Sequence, residues 1–238
     1  MTCSIAIMQP YIFPYIGYFQ LIYAVEKFVI YDDVTFIKQG WINRNCILVK
    51  GEPLIYSVPV SKASQHTLIR DVKIDHVSYD QWRAKFYKTL EQYYRKAPQF
   101  EIILQLIKNV FDGEEQFISR IATSSIKAVC TYLSISTELV ETAVCYQNSH
   151  LKAEDRIIDI CRQENKQIYV NAAGGRHLYT HEKFNQNGIG LKFIKCKDIS
   201  YQQFDYPFIL SLSIIDVLMF NKIETIQTML NLYELDAP

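Results

Sequence analysis

The first thirty residues alternate short apolar runs with one helical stripe. Ser4-Ile5-Ala6-Ile7-Met8 is an apolar run ending at Gln9-Pro10, the pattern of a buried strand stopped by proline. Over 15–25 the apolar positions recur at helical spacing, with Pro14 placed at a helix start. Phe28-Val29-Ile30-Tyr31 reads as a second buried strand and ends on Asp32-Asp33. Strand, helix and strand make a βαβ unit, whose crossover is right-handed by rule. Cys46-Ile47-Leu48-Val49 and Leu54-Ile55-Tyr56-Ser57-Val58-Pro59-Val60 flank Lys50-Gly51-Glu52-Pro53, predicting a hairpin with a four-residue turn, and 68–74 predicts a further strand.

From Tyr79 the period becomes helical. Trp82, Phe86, Leu90 and Tyr93 form a stripe read as core, Pro98 divides this helix from one over Phe100–Phe111, and Asp112-Gly113 precedes a third over 115–133. Alternation then resumes: a strand over 138–142, a helix over 153–164, and a strand at Ile168-Tyr169-Val170. A loop at Asn171-Ala172-Ala173-Gly174-Gly175 leads to a short helix over 178–185, a strand at Leu191-Lys192-Phe193-Ile194, and closing helices over 213–220 and 223–232. The expected architecture is α/β. An open, mostly parallel, Rossmann-like sheet is flanked by helices, with a β-hairpin and a helical insertion (79–135) inside a single domain spanning 1–238.

Composition narrows the function. Hydrophobic residues are 49% of the 238 and aromatics 13%, enough to build a core and to exclude a disordered chain. The 25 Lys+Arg balance 25 Asp+Glu, which argues against a general nucleic-acid binder. No run reaches the roughly 18 apolar residues of a spanning helix, and the N-terminus lacks the basic and apolar regions of a signal peptide. Six scattered cysteines without a CxxC pair read as reduced thiols, so a soluble cytoplasmic protein is expected. His177 and His181, four apart, would share a helix face, but with no third ligand or HExxH glutamate no metal site is assigned. The 17 tyrosines are compatible with a homodimer.

Three polar segments each follow a predicted strand. The first is Gln9-Pro10-Tyr11-Ile12-Phe13-Pro14-Tyr15-Ile16-Gly17-Tyr18, where Gly17 would let a ligand approach the helix start and free N–H groups would meet an anion. Neither GxGxxG nor a Walker loop is present. Tyr15-Ile16-Gly17-Tyr18 resembles the HxGH signature of nucleotidylyltransferases, class I aminoacyl-tRNA synthetases and pantothenate synthetase, with tyrosines in both histidine positions. The second is Asp32-Asp33 with Lys38, Trp41, Asn43, Arg44 and Asn45. Paired acids would hold Mg²⁺ or orient an amine, Lys38 and Arg44 would offset phosphate or carboxylate charge, and Trp41 would stack on a ring. The third is Asn171 with Gly174-Gly175, either an anion nest or a tight connection. Ser213 reads as a helix cap and Asp216 as an inward carboxylate.

On these blocks the chain resembles the WbqC-like protein family: Met8-Gln9-Pro10-Tyr11, Phe13-Pro14-Tyr15-Ile16-Gly17-Tyr18-Phe19, Tyr31-Asp32-Asp33-Val34, Gly40-Trp41-Ile42-Asn43-Arg44-Asn45, Asn171 with Gly174-Gly175 and Leu178-Tyr179, and Leu212-Ser213-Ile214-Ile215-Asp216. The resemblance implies a place in O-antigen or other surface-polysaccharide synthesis, beside enzymes that make amino- and deoxy-sugar nucleotides. It supplies no established catalytic residues. The expected activity is modification of a nucleotide-linked amino sugar, as an amide with a small amino or carboxylic acid, through an adenylate made from ATP and Mg²⁺. Asp32, Asp33, Lys38 and Arg44 would be catalytic, and Gln9, Pro10, Tyr11, Tyr15, Gly17, Tyr18, Trp41, Asn43, Asn45, Asn171, Gly174, Gly175 and Ser213 would bind substrate. The alternatives are acyl transfer from a pre-activated donor, such as an acyl carrier or aminoacyl-tRNA, and a non-catalytic sugar-nucleotide-binding protein.

Overall fold

The computed structural model describes residues 3–236; Met1, Thr2, Ala237 and Pro238 of the expected 1–238 domain lie outside them. In chain order the elements begin β1 (Ser4–Met8), α1 (Ile16–Tyr23), β2 (Lys27–Ile30), β3 (Arg44–Val49) and β4 (Glu52–Ser57). Helices α2 (His76–Tyr94), α3 (Phe100–Phe111) and α4 (Ile118–Tyr132) follow, then β5 (Glu138–Val140), α5 (Ala153–Gln163), β6 (Ile168–Ala172), α6 (His181–Gln186) and β7 (Gly190–Cys196). The chain closes with α7 (Ile214–Phe220), α8 (Ile223–Leu230) and β8 (Tyr233–Asp236).

Six strands form one sheet in the order β5-β2-β1-β6-β7-β8, parallel except for β8 against β7; β3 and β4 form a separate antiparallel hairpin. The central strands are apolar on both sides because both faces are covered. Ala6, Phe28, Ile30 and Val170 join the larger core with α1, α2, α3, α4, α7 and α8, whereas Ile5, Ile7, Val29, Tyr169 and Phe193 face α5 and α6. The period-two alternation of side chains therefore sorts each strand between two layers. Helices α2 to α4 pack into the same buried cluster as Ile12 and Phe13 of the β1–α1 turn.

Several boundaries differ from the sequence pattern for local reasons. Helix α2 starts at His76, three residues before the apolar stripe, because the Asp75 carboxylate caps it by accepting from the Val77 N–H. The hairpin turn has two residues, not four: Lys50 and Gly51 both take positive φ (54° and 79°), the type I′ geometry, and Glu52-Pro53 already belong to β4. Pro53 is tolerated opposite Leu48, whose own N–H points away to the Tyr94 hydroxyl at 2.7 Å. The strand expected over 68–74 is instead a 3₁₀ turn at Ile69–Asp71 between isolated bridges, Thr35 to Leu68 and Val60 to Ile74. β8, Tyr-Glu-Leu-Asp, alternates over only four residues and directly follows a helical stripe, too short a pattern to stand out. All six cysteines are free thiols. Among the described residues no helix is long and apolar enough to cross a membrane.

One turn residue ties these parts together. Phe13 sits at φ 40°, a conformation that costs a bulky residue about 1–3 kcal/mol. Its N–H donates to Ser125 Oγ of α4 at 3.0 Å, and its carbonyl accepts from Asn45 Nδ2 of β3 and Ser213 Oγ, both at 2.7 Å. Its ring packs edge-on to Phe111 of α3. Asn45 also donates to the Ile12 carbonyl at 3.0 Å and is itself buried. Removing that amide leaves buried carbonyls short of a donor, at about 1–3 kcal/mol for an unsatisfied group. Asn45→Ala is therefore expected to lower the unfolding free energy by about 2 kcal/mol or more in denaturant titration. An unchanged midpoint would show that the turn is held without it.

Candidate active site at the carboxyl edge of the sheet

Strands β2, β1 and β6 are adjacent and parallel, so the segments that follow them leave the sheet at one edge. β1 is also where the strand order reverses, since the next strand in sequence lies on one side of it and β6 on the other. Open α/β sheets hold ligands at such a point. The three polar segments of the sequence thus leave the sheet at the same end.

Most of the residues singled out there build the edge and do not line an open pocket. Asp32 and Asp33 are buried and turn to different partners. Asp32 Oδ1 accepts from Thr142 Oγ1 (2.8 Å) and the Ala143 N–H (3.2 Å), pinning the loop after β5, and burial pushes its carboxyl above the usual range. Asp33 pairs with Arg156 of α5, itself buried, whose Nε donates to Asn148 and whose guanidinium lies 4.8 Å from the Tyr31 ring centroid. The second Asp33 oxygen is enclosed without a hydrogen-bond partner. A Mg²⁺ held by both acids would have to pull Asp33 from Arg156 and Asp32 from Thr142, so the donor set does not fit a shared ion. Among the described residues no three His, Cys, Asp or Glu side chains converge. His177 lies in a 3₁₀ turn and His181 opens α6, so they share no helix.

Lys38 is exposed, and Arg44 folds back on its own loop, donating to the Gln39 carbonyl and lying 5.3 Å from the half-exposed Trp41 ring. Asn43 closes the hairpin base through the Val58 carbonyl at 2.8 Å. Ser213 caps α7 through the Ile215 N–H. Asn171 is buried against Gly175, where an added Cβ would lie 2.6 Å from the amide nitrogen. Neither Gly174 nor Gly175 has positive φ; both belong to a 3₁₀ turn over Ala173–Leu178, so this is the tight connection and not a nest.

The HxGH-like turn is also packed inward. Tyr18 is buried and donates to the Gln9 carbonyl at 3.1 Å, with its ring edge-on to Tyr11. Pro10 is buried too, and the Tyr11 hydroxyl accepts from the Tyr15 N–H at 3.2 Å. The Tyr15 ring covers Gly17 so closely that an added Cβ would lie 2.7 Å from its hydroxyl. Tyr18 thus cannot take the phosphate-contacting role of the second histidine, and the helix start at Gly17 is screened by Tyr15. The turn does not fit an adenylate site.

What opens beside this turn is a cavity of about 410 Å³. Tyr15 and Gly17 form one wall, Cys196 at the end of β7 another, and Asp198, Tyr201 and Phe208 of the following segment the rest. Its floor includes Gln20, whose amide nitrogen donates to the Met229 and Leu232 carbonyls at 2.9 Å, leaving Oε1 buried without a partner. The pair of carbonyls fixes which end of the amide is oxygen. Burial pushes the Tyr15 hydroxyl above its ordinary value.

The segment 197–212 lacks regular structure and is held by a buried carboxylate. Asp216 Oδ1 accepts from the Tyr201 hydroxyl and Gln203 Nε2, both at 2.7 Å, and Oδ2 from the Tyr94 hydroxyl at 2.6 Å. Gln203 also brackets Ile209, accepting from its N–H (2.7 Å) and donating to its carbonyl (3.0 Å). The inward placement of Asp216 agrees with the sequence reading. The wall residues 196–208 and Arg156 were missed there. The first carry no motif; the second did leave a signal, a cation on the stripe Arg156-Ile157-Ile160-Cys161 of an otherwise apolar helix face.

The match to the WbqC-like protein family covers residues 9–228, so the chain belongs to that family. It is 30% identical over 218 residues to the uncharacterized protein Rv1507c of Mycobacterium tuberculosis (strain ATCC 25618 / H37Rv), an alignment covering 90% of this chain and 92% of that one. No solved structure matches the chain.

Asp216 gives the site a pH signature. Burial, the largest cause, raises its carboxyl above the ordinary value of 3.8 despite the three donors. The folded chain then binds this proton more tightly than the unfolded chain. The associated stability is fully present below about 3.8 and is lost as pH rises through the folded value. Asp216→Asn cannot titrate, so its stability relative to wild type should improve as pH climbs through that window in parallel melts. A pH-independent difference would show that the folded and unfolded carboxyls titrate alike.

Proposed function

We propose that this protein is an enzyme of surface-polysaccharide synthesis that modifies a nucleotide-linked amino sugar, joining a small amino or carboxylic acid to the sugar nitrogen as an amide. The observation that carries the reading is the cavity where the β1–α1 turn meets the end of β7 at the carboxyl edge. Its chemistry suits an amino sugar. Asp198 is an exposed carboxylate with no ion pair among the described residues, fit to hold an ammonium group. The rings of Tyr15, Tyr201 and Phe208 supply faces for a pyranose.

The packing of Tyr15 and Tyr18 favours a second reading of the donor, in which the acyl group arrives already activated as a carrier thioester or an aminoacyl ester. The sugar nitrogen, bound as an ammonium, releases one proton to solvent and attacks the acyl carbon as the neutral amine; a C–N bond forms, and the C–S or C–O bond breaks. The departing thiolate or alkoxide takes up the second proton that nitrogen loses. Asp198 is the group we assign to orient the amine, and Tyr15 faces the same space. Asp32, Asp33, Lys38 and Arg44, expected to be catalytic, do not line this cavity, and in this reading Asp32 and Asp33 position the loops around it.

The test is mass spectrometry of UDP- or dTDP-amino sugars incubated with the protein and either ATP plus glycine, an acyl thioester, or aminoacyl-tRNA. The expected result is a mass gain equal to the acyl group with a pre-activated donor. Asp198→Asn should slow it roughly tenfold or more, the worth of a lost charge-assisted hydrogen bond. Product with ATP and free glycine alone would restore the adenylate route. No mass change with any donor, alongside a ligand-induced rise in Tm, would leave a binding protein and overturn the enzymatic reading.

A further inference from the structure

We propose that a second, larger cavity, formed by the β3–β4 turn, the end of α2 and residues 204–206, is a nucleoside diphosphate site separate from the cavity beside α1. This rests on the reading above for the identity of the ligand, but not on amide formation. The cavity measures about 650 Å³, within the roughly 300–1,000 Å³ of small-molecule sites. Lys50, Arg95 and Lys96 line it against Glu91 and Asp205, and none of the five forms an ion pair among the described residues.

The cations are not all explained by the fold. Arg95 and Lys96 follow the last turn of α2 and complement the negative end of its dipole. Lys50 does not: it sits on the hairpin turn and shares the cavity with them. The three cations outnumber the two acids, Glu91 and Asp205, that share the hollow, which leaves it an excess positive charge for an anionic ligand. A diphosphate, with its charge spread over several oxygens, satisfies a set built from one guanidinium and two ammonium groups.

The same hollow offers a surface for a base. Tyr206 is 44% exposed, and one side of its ring rests on Gly51, where an added Cβ would lie 2.7 Å from the ring. At φ 79° that position favours glycine twice over, for its backbone and for the ring that covers it. The Tyr206 backbone is tied to this segment, its N–H donating to the Gln203 carbonyl at 3.3 Å. Phe204, at φ 53°, packs 4.7 Å from Phe220 and 6.4 Å from Tyr94, and Gln203 is fixed by Asp216. The aromatic is therefore preorganised and loses little freedom when a base stacks on it.

The experiment is calorimetric titration of the full chain with UDP, dTDP, inorganic pyrophosphate and a short single-stranded RNA. A nucleoside diphosphate should bind, and pyrophosphate should bind roughly tenfold more weakly for want of the stacked base. The double change Lys50→Gln with Arg95→Gln should weaken nucleotide binding at least roughly tenfold, since it removes two charge-assisted contacts. Tyr206→Ala should weaken the nucleotide but not pyrophosphate, and Tyr206→Phe should restore it. Asp198→Asn should leave nucleotide affinity unchanged. Matching melting curves establish that each variant is folded. Nucleotide affinity indifferent to both the charge pair and Tyr206 would overturn the proposal, as would RNA binding more tightly than any nucleotide. Intact nucleotide binding without amide product sinks the reaction and keeps this site; intact amide formation with no effect of these variants does the reverse.

Discussion

The left-handed turn at Phe13 is the constraint on which the architecture depends. A bulky residue at φ 40° relaxes to an extended or helical conformation unless its neighbours over-determine it. Here they do: α4 takes its N–H, β3 and the cap of α7 share its carbonyl, and α3 encloses its ring. Three hydrogen bonds at about 0.5–1.5 kcal/mol each match or exceed the strain they hold. Their larger effect is geometric. They join the end of the first strand to the hairpin, the helical segment and the C-terminal helices, parts remote in sequence. Ile214 N–H reaches the Pro14 carbonyl at 2.9 Å, so the start of α7 is set by the same turn.

Two buried carboxylates shape the rest of the edge in opposite ways. Asp33 is compensated by a cation, and such a pair recovers its desolvation cost only through close geometry and further hydrogen bonds, which Asn148 supplies to Arg156. The result fixes α5 against the end of β2 without adding an accessible charge. Asp216 has no cation; three neutral donors from α2 and the 197–212 segment converge on it. Its charged form is therefore less favoured, and its role is to order a stretch of chain that has no strand or helix to order it.

The strands and helices were legible because apolar periodicity records burial directly. Phe100–Phe111 matches the observed α3 residue for residue, and the parallel order follows from alternating elements. Polar residues were less informative. Asp32, Asp33, Asn45, Asn171 and Ser213 stand out in the sequence, but their composition does not reveal whether they face a ligand or hold the backbone. At the carboxyl edge, closely packed turns expose many N–H and C=O groups that must be paired, and polar side chains are recruited to pair them. The segment 197–212 was invisible for the complementary reason: its shape comes from Gln203, Tyr201 and Asp216 meeting in space, and nothing in their spacing announces that contact.

That segment joins the two hollows. Cys196, Tyr201 and Phe208 face the cavity beside α1, whereas Phe204 and Tyr206 face the one beside the hairpin. Gln203, between them, is locked to Ile209 and to Asp216. A movement of either wall must strain the same buried hydrogen bonds, because Tyr201 and Gln203 share one carboxylate oxygen. Rigidity at this point therefore serves both cavities at once. It also explains why a fully buried carboxylate, unfavourable by desolvation, occupies the third position after the Ser213 cap: an apolar residue there would leave the Tyr94 and Tyr201 hydroxyls and the Gln203 amide without their shared acceptor, and the wall between the two hollows without its anchor.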